Sequence, residues 1–168
     1  MYVDYEFYSE LYGKKAIEES VFNLLSWETC KKVDYYTTGV DGVKKLKHFF
    51  PADEDDAESV KRCICKLIDT MNQINLAEEE EKNAQGYIIR EDGSLQGKVV
   101  SSISAGNESM SYSIGKSGTT QISNAVSDSS AREKLYRDIV TEYLSGVTDS
   151  NGVNLLYMGA YPKERMTV

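Results

Sequence analysis

Apolar residues recur along most of this chain at intervals of three and four, the spacing that lines one face of an α-helix. The clearest run is Val60, Cys63, Ile64, Leu67, Ile68, Met71 and Ile74, which predicts a long helix continuing to roughly Ala84. Asp53 is placed to cap its start. Glu54, Asp55 and Asp56 fill the first turn, where the helix dipole favours negative charge. Pro51 disfavours helical geometry in the residue before it, so Val43 to Phe50 is read as no more than a helical turn. Nearer the start, Tyr5, Tyr8, Leu11 and Tyr12 share the face of a short helix, with Asp4 as its cap and Gly13 as its stop. A second helix spans about Glu18 to Tyr36. Phe22, Leu25, Thr29 and Val33 form its stripe, Val21, Leu24 and Trp27 widen it, and Gly39 and Gly42 break the pattern. A last helix, about Ser130 to Ser145, buries Leu135, Ile139, Val140, Tyr143 and Leu144 and ends at Gly146.

Between Gly86 and Ser130 the period changes. Tyr87 to Arg90 reads as a strand, and Glu91-Asp92-Gly93 supplies turn chemistry for a hairpin into Leu95 to Ile103. Ile103, Met110, Tyr112 and Ile114 alternate with small polar residues, as in a half-buried strand, with no other sheet in the chain to receive them. From Gly115 to Ser130 the composition turns to Gly, Ser, Thr, Gln and Asn, which predicts a mobile segment in the isolated chain. After Gly152 the segment Val153 to Tyr161 is apolar again. The expected fold is therefore mainly α. It is a small helical bundle with an extended β-hairpin arm between the penultimate and last long helices. As a single domain it divides into a helical core at about 1–85 and 130–146, an arm at about 86–129 and a C-terminal docking tail at about 147–168.

Composition narrows the role. At 168 residues, 40% apolar and 27% charged, the chain can bury a core of its own. Its net charge of −8 argues against gripping a phosphate backbone, which requires clustered Lys and Arg. Three cysteines, Cys30, Cys63 and Cys65, lie in helical patterns and do not suggest a disulfide framework. The acidic N-terminus is unlike a signal peptide and no long apolar run exists, so the expectation is a cytoplasmic chain with no membrane partner.

Candidate chemistry is sparse. Gly115-Lys116-Ser117 imitates the end of a P-loop, but Met110 stands where its first glycine belongs. His48 is the sole histidine and has no nucleophile signature near it. Cys63 and Cys65 diverge on a helix, and Asp149-Ser150-Asn151-Gly152 lacks the length and closing glutamate of a calcium loop. Glu78 to Glu81 read as a solvated helix end, and Asn107-Glu108-Ser109 as an unused glycosylation match. No catalytic, cofactor-binding or metal residue is assigned. What remains is an excess of exposed-looking apolar and aromatic residues, twelve tyrosines among them, of the kind enriched at interfaces.

The order of features then resembles a known family. The Tyr-rich N-terminal helix, Phe22-Asn23-Leu24-Leu25, the acidic Pro51 to Asp56 helix start, the Ile103 to Tyr112 segment and Leu155-Leu156-Tyr157-Met158-Gly159 are similar to the head-to-tail connector proteins of tailed bacteriophages and prophages of Gram-positive bacteria. The likeness covers most of the chain. It implies a non-enzymatic head-completion or adaptor protein forming a homo-oligomeric ring of about twelve copies. Implied partners are the portal protein above and a neck or tail protein below, with double-stranded DNA passing through unbound, in the virion neck. On that reading the partner-binding residues are Ile103, Met110, Tyr112 and Ile114 of the arm and Leu155, Leu156 and Tyr157 of the tail, with Glu78, Glu79, Glu80 and Glu81 as channel-facing acids. Alternatives are a stopper or tail-terminator subunit, a small hydrolase or nucleotide-dependent enzyme using His48 or the Gly115-Lys116-Ser117 loop, or a regulatory helical domain.

Overall fold

The computed structural model describes the backbone of residues 1–84, 86–89, 95–98, 103–105, 108–110 and 121–163, and the side chains of 1–13, 15–80 and 121–163. The protein is mainly helical. Helix α1 covers Tyr5–Tyr12, α2 Glu19–Thr37, α3 Lys45–His48, α4 Glu54–Ala84, α5 Gln121–Ser127 and α6 Ser129–Leu144. The predicted caps are in place. The Asp4 carboxylate accepts the Phe7 amide at 2.8 Å, and Asp53 Oδ1 accepts the amides of Asp55 and Asp56 at 3.1 and 3.0 Å. At the ends of α1 and α6, Gly13 and Gly146 take φ of 55° and 86°, where a side chain would be strained.

Helix α4 is the axis on which α2, α5 and α6 pack. Its inward face, Val60, Cys63, Ile64, Leu67, Ile68 and Ile74, is at most 1% exposed and meets Phe22, Leu25 and Val33 of α2 and Val140 and Leu144 of α6 in one core. Each fully buried aliphatic side chain there contributes about 1.5–3 kcal/mol. Helix α1 closes one end with aromatic rings. Tyr8 stacks on Tyr12 at 4.7 Å and packs on Phe22 at 5.2 Å, while Tyr5 meets Phe22 edge-on. Tyr8 is fully buried, and its hydroxyl finds no hydrogen-bond partner among the described residues.

The C-terminal segment departs from expectation. From Val147 to Tyr161 it is folded against the helices as a strap rather than left as an open docking tail, with Val147, Val153, Leu155 and Tyr161 buried. Thr148 donates from its amide and hydroxyl to Asp56 Oδ2 at the start of α4, both at 2.9 Å. The buried Asp149 carboxylate accepts the amides of Asn151 and Val153 and the Tyr161 hydroxyl, the last at 2.6 Å. Tyr161 stacks on Phe49 at 4.9 Å and donates its amide to Asp41. The strongest tie is Lys45, only 1% exposed, whose Nζ donates to the Leu155 carbonyl at 2.9 Å and to that of Tyr157. Burial pulls the Lys45 ammonium below the usual lysine range, while the nearby carboxylates of Asp149 and Asp41 oppose the shift. At Gly39 a Cβ would run into the Gly159 carbonyl oxygen, so only glycine lets the strap come this close.

Two further expectations are corrected. Residues 121–127, read as part of a mobile stretch and of an arm ending near 129, form α5 with Ala125 buried. Arg132 holds that helix by donating Nε to the Ala125 carbonyl at 2.8 Å and Nη2 to that of Val126. Val21, Leu24 and Trp27, read as widening a buried stripe, face outward, because α1, α4 and α6 cover only the inner side of α2. As for the arm, the described residues show two antiparallel ladders, β1 Gly86–Ile89 with β2 Leu95–Lys98 and β3 Ile103–Ala105 with β4 Glu108–Met110. No hairpin arm extending from the body is seen among them, and most of the 85–120 stretch lies outside the described residues.

Two substitutions check this account. Lys45→Met removes the donor from two strap carbonyls and should lower stability by about 2–4 kcal/mol in urea unfolding, with faster amide exchange at Leu155 than at α4. Tyr8→Phe deletes a buried hydroxyl with no hydrogen-bond partner among the described residues and should be neutral or stabilising by up to about 1 kcal/mol in the same assay.

Candidate interaction surface

The inner positions of α2 are satisfied by the core, which leaves its outer face in contact with water. Leu24 is 65% and Trp27 61% exposed. Three residues apart on a helix, they form one raised apolar pair. Lys31 Nζ lies 5.5 Å from the Trp27 ring and sets its orientation from one turn further along. Tyr35, near the end of the helix, is 69% exposed.

Beside Tyr35 the surface turns concave. The end of α2, α6 and the strap enclose a groove of about 360 Å³ lined by Tyr35, Tyr36, Arg137, Val140, Leu156 and Met158. The strap ends of the groove are held in register by the Val40 amide, which donates to the Met158 carbonyl at 2.9 Å. One wall is polar. Glu133 accepts the Tyr36 hydroxyl at 2.5 Å and the Lys32 ammonium at 3.0 Å. The Tyr36 bond, then the Lys32 bond, hold the Glu133 carboxyl below the usual range against some desolvation. Burial, and then the same Glu133 bond, push the Tyr36 hydroxyl well above its ordinary value. The Arg137 guanidinium lies 6.0 Å over the Tyr36 ring. This arrangement can grip apolar side chains and an acidic neighbour. The three cysteine thiols are buried, and burial pushes Cys63 and Cys65 up to about 12, so none of them is an activated thiolate.

The residues singled out in the sequence are dispersed by the fold. Leu155 is fully buried in the protein's own core and is therefore not presented to a partner in this state. Leu156 is half-buried and lines the groove, and Tyr157 is 48% exposed beside it. Ile103 and Met110 face each other as register partners of β3 and β4, whereas Tyr112 and Ile114 lie outside the described residues. Glu78 pairs with Arg132 and is partly covered, so it is not a free acid. Glu79 and Glu80 are exposed, and the Glu81 side chain lies outside the described residues. The groove itself was not foreseen. Its only trace in the sequence is aromatic and apolar residues at positions 35, 36, 140 and 156–158, too far apart to associate by period. The chain matches no family model, no curated protein and no solved structure.

The Glu133 carboxyl titrates lower folded than unfolded, so it contributes stability above about pH 4.3, the ordinary glutamate value. That contribution is lost as pH falls through its folded value. Unfolding of the wild-type protein should therefore steepen below about pH 4.5 relative to Glu133→Gln, by under about 1 kcal/mol for so exposed a group. Tyr36→Phe should remove most of that difference.

Proposed function

We propose that this protein is a structural adaptor of a tailed phage or prophage. It would assemble as a homo-oligomeric ring between the portal of the head and the tail, with DNA passing through its centre. The observation that carries the reading is the exposed apolar face of α2, continued into the groove of Tyr35, Leu156 and Met158, on a chain whose described residues bring no reactive groups together. Large apolar surface on a folded helical body is what an assembly subunit needs. The order of sequence features similar to head-to-tail connectors supplies the choice of assembly. Portal docking then falls to the rim of the strap, Leu156, Tyr157 and Met158, rather than to a tail that unfolds. Exposed Glu79 and Glu80 near the end of α4 are the acids suited to face DNA without binding it. A helix-dominated chain fits this better than a tail terminator, a class richer in β-structure.

Portal rings encoded in the same genome provide the test. They should capture the full chain from solution, and the pair Tyr157→Ala and Met158→Ala should weaken capture at least about tenfold, equivalent to about 1.4 kcal/mol. Absence of capture by a chain whose circular dichroism shows intact helices would overturn the reading.

A further inference from the structure

Helix α2 turns one face to water along most of its length. At about 3.6 residues per turn, Leu24, Glu28, Lys31 and Tyr35 fall within about 60° of one another, with Val21 and Trp27 at the two edges of the stripe. All six are exposed. The charges to either side of the stripe are already engaged, Lys32 with Glu133 and Asp34 with the Tyr2 hydroxyl. Glu28 and Lys31 form no ion pair among the described residues. Lys31 lies over the Trp27 ring, and a contact with an aromatic face leaves the ammonium its charge and its N–H donors.

The order along the stripe is apolar, acid, base, apolar, at spacings of four, three and four residues. Read backwards, it is its own complement. A second copy laid antiparallel, with the two-fold axis between Glu28 and Lys31, sets Leu24 against Tyr35 and Glu28 against Lys31, each contact made twice. A parallel copy in the same register sets Glu28 on Glu28 and Lys31 on Lys31, which repel. We infer that two copies of this chain associate through α2 as an antiparallel two-fold pair, with Glu28 of each copy on Lys31 of the other and Leu24 packed on Tyr35 further from the axis. The contact is isologous, so it closes at two copies. Opposite charges meet at the one place where two chains of net charge −8 touch, which offsets their general repulsion there. The face covered is about three turns, or about 17 Å, long, which puts the pair at the small, weak end of specific interfaces. The pair does not depend on the adaptor reading. It is the state in which the free chain keeps this stripe from water, and any larger assembly built on the same face has to open it first.

Charge reversal tests the pairing. In sedimentation velocity up to about 1 mM, the affinity limit of a small contact, wild-type protein should reach a dimer and nothing larger. Glu28→Lys sets a lysine against Lys31 of the other copy, and Lys31→Glu sets a glutamate against Glu28, so each single variant should remain a monomer. Glu28→Lys also makes the chain less negative, so general repulsion alone would have it associate more strongly than wild type. The two single variants mixed in equal amounts should form a heterodimer, because every charge then meets its opposite. The double variant Glu28→Lys with Lys31→Glu should pair with itself as wild type does. Trp27, the sole tryptophan, stands at the edge of the contact, and its emission should shift to the blue with concentration wherever a pair forms. Both substituted positions are exposed, and circular dichroism checks that each chain folds. If a single variant does not, Tyr35→Ser takes its place and should weaken the pair about tenfold by removing an apolar anchor from each copy.

Wild-type protein that stays monomeric throughout, single variants that pair as wild type does, or a mixture that remains monomeric would each overturn the inference. Growth of the wild type beyond a dimer would overturn it as well, since that is the result expected of a head-to-tail contact.

Discussion

Everything in this fold depends on the burial of one face of α4. Val60, Cys63, Ile64, Leu67, Ile68 and Ile74 are removed from water along about four turns. Helices α2, α5 and α6 are each placed by what they add to it. Isolated helices as short as α1 or α5 are marginal in water, so their existence follows from docking rather than from propensity. The acidic first turn of α4 also has a second use, because Asp56 accepts both donors of Thr148 and thereby ties the end of the chain to the start of the axis.

The strap shows how a buried charge organises a segment that has no regular structure. Lys45 sits on a single helical turn and points inward to carbonyls more than a hundred residues away in sequence. An ammonium removed from water needs several acceptors at good geometry, and two strap carbonyls with Asp149 and Asp41 nearby supply them. Once that group is fixed, Leu155 enters the main core, while Val153 and Tyr161 join Phe49 in a smaller one. The strap in turn creates the groove, since Leu156 and Met158 are two of its walls. Buried chemistry on one side of the strap and surface recognition on the other are thus consequences of the same few bonds.

Much of the architecture was legible before any coordinates. The helix α4 with its Asp53 cap, the Asp4 and Gly13 bounds of α1, the stop at Gly146 and the turn at Asp149 are local signals acting within a few residues, and the structure contains each of them. Helix α5 was missed although Ile122, Ala125 and Val126 are spaced for it. Seven residues with three small or modest apolar anchors carry little signal, and the Arg132 bonds that hold them come from the next helix. Leu24 and Trp27 were misassigned for the converse reason. Helix α2 is apolar nearly all round, and period alone cannot say which flank a neighbour will cover.

The division follows from the range of the forces involved. Periodicity, capping and turn chemistry are set by backbone geometry and by neighbours three or four residues away, so the chain's letters were enough to place the helices and their ends. Whether Leu155 is core or contact, whether Lys45 faces water or carbonyls, and whether Trp27 is covered depend on competition among surfaces distant in sequence for the limited area of α4. That competition is decided only when the helices pack, because burial is a property of the whole assembly of elements and not of any one of them.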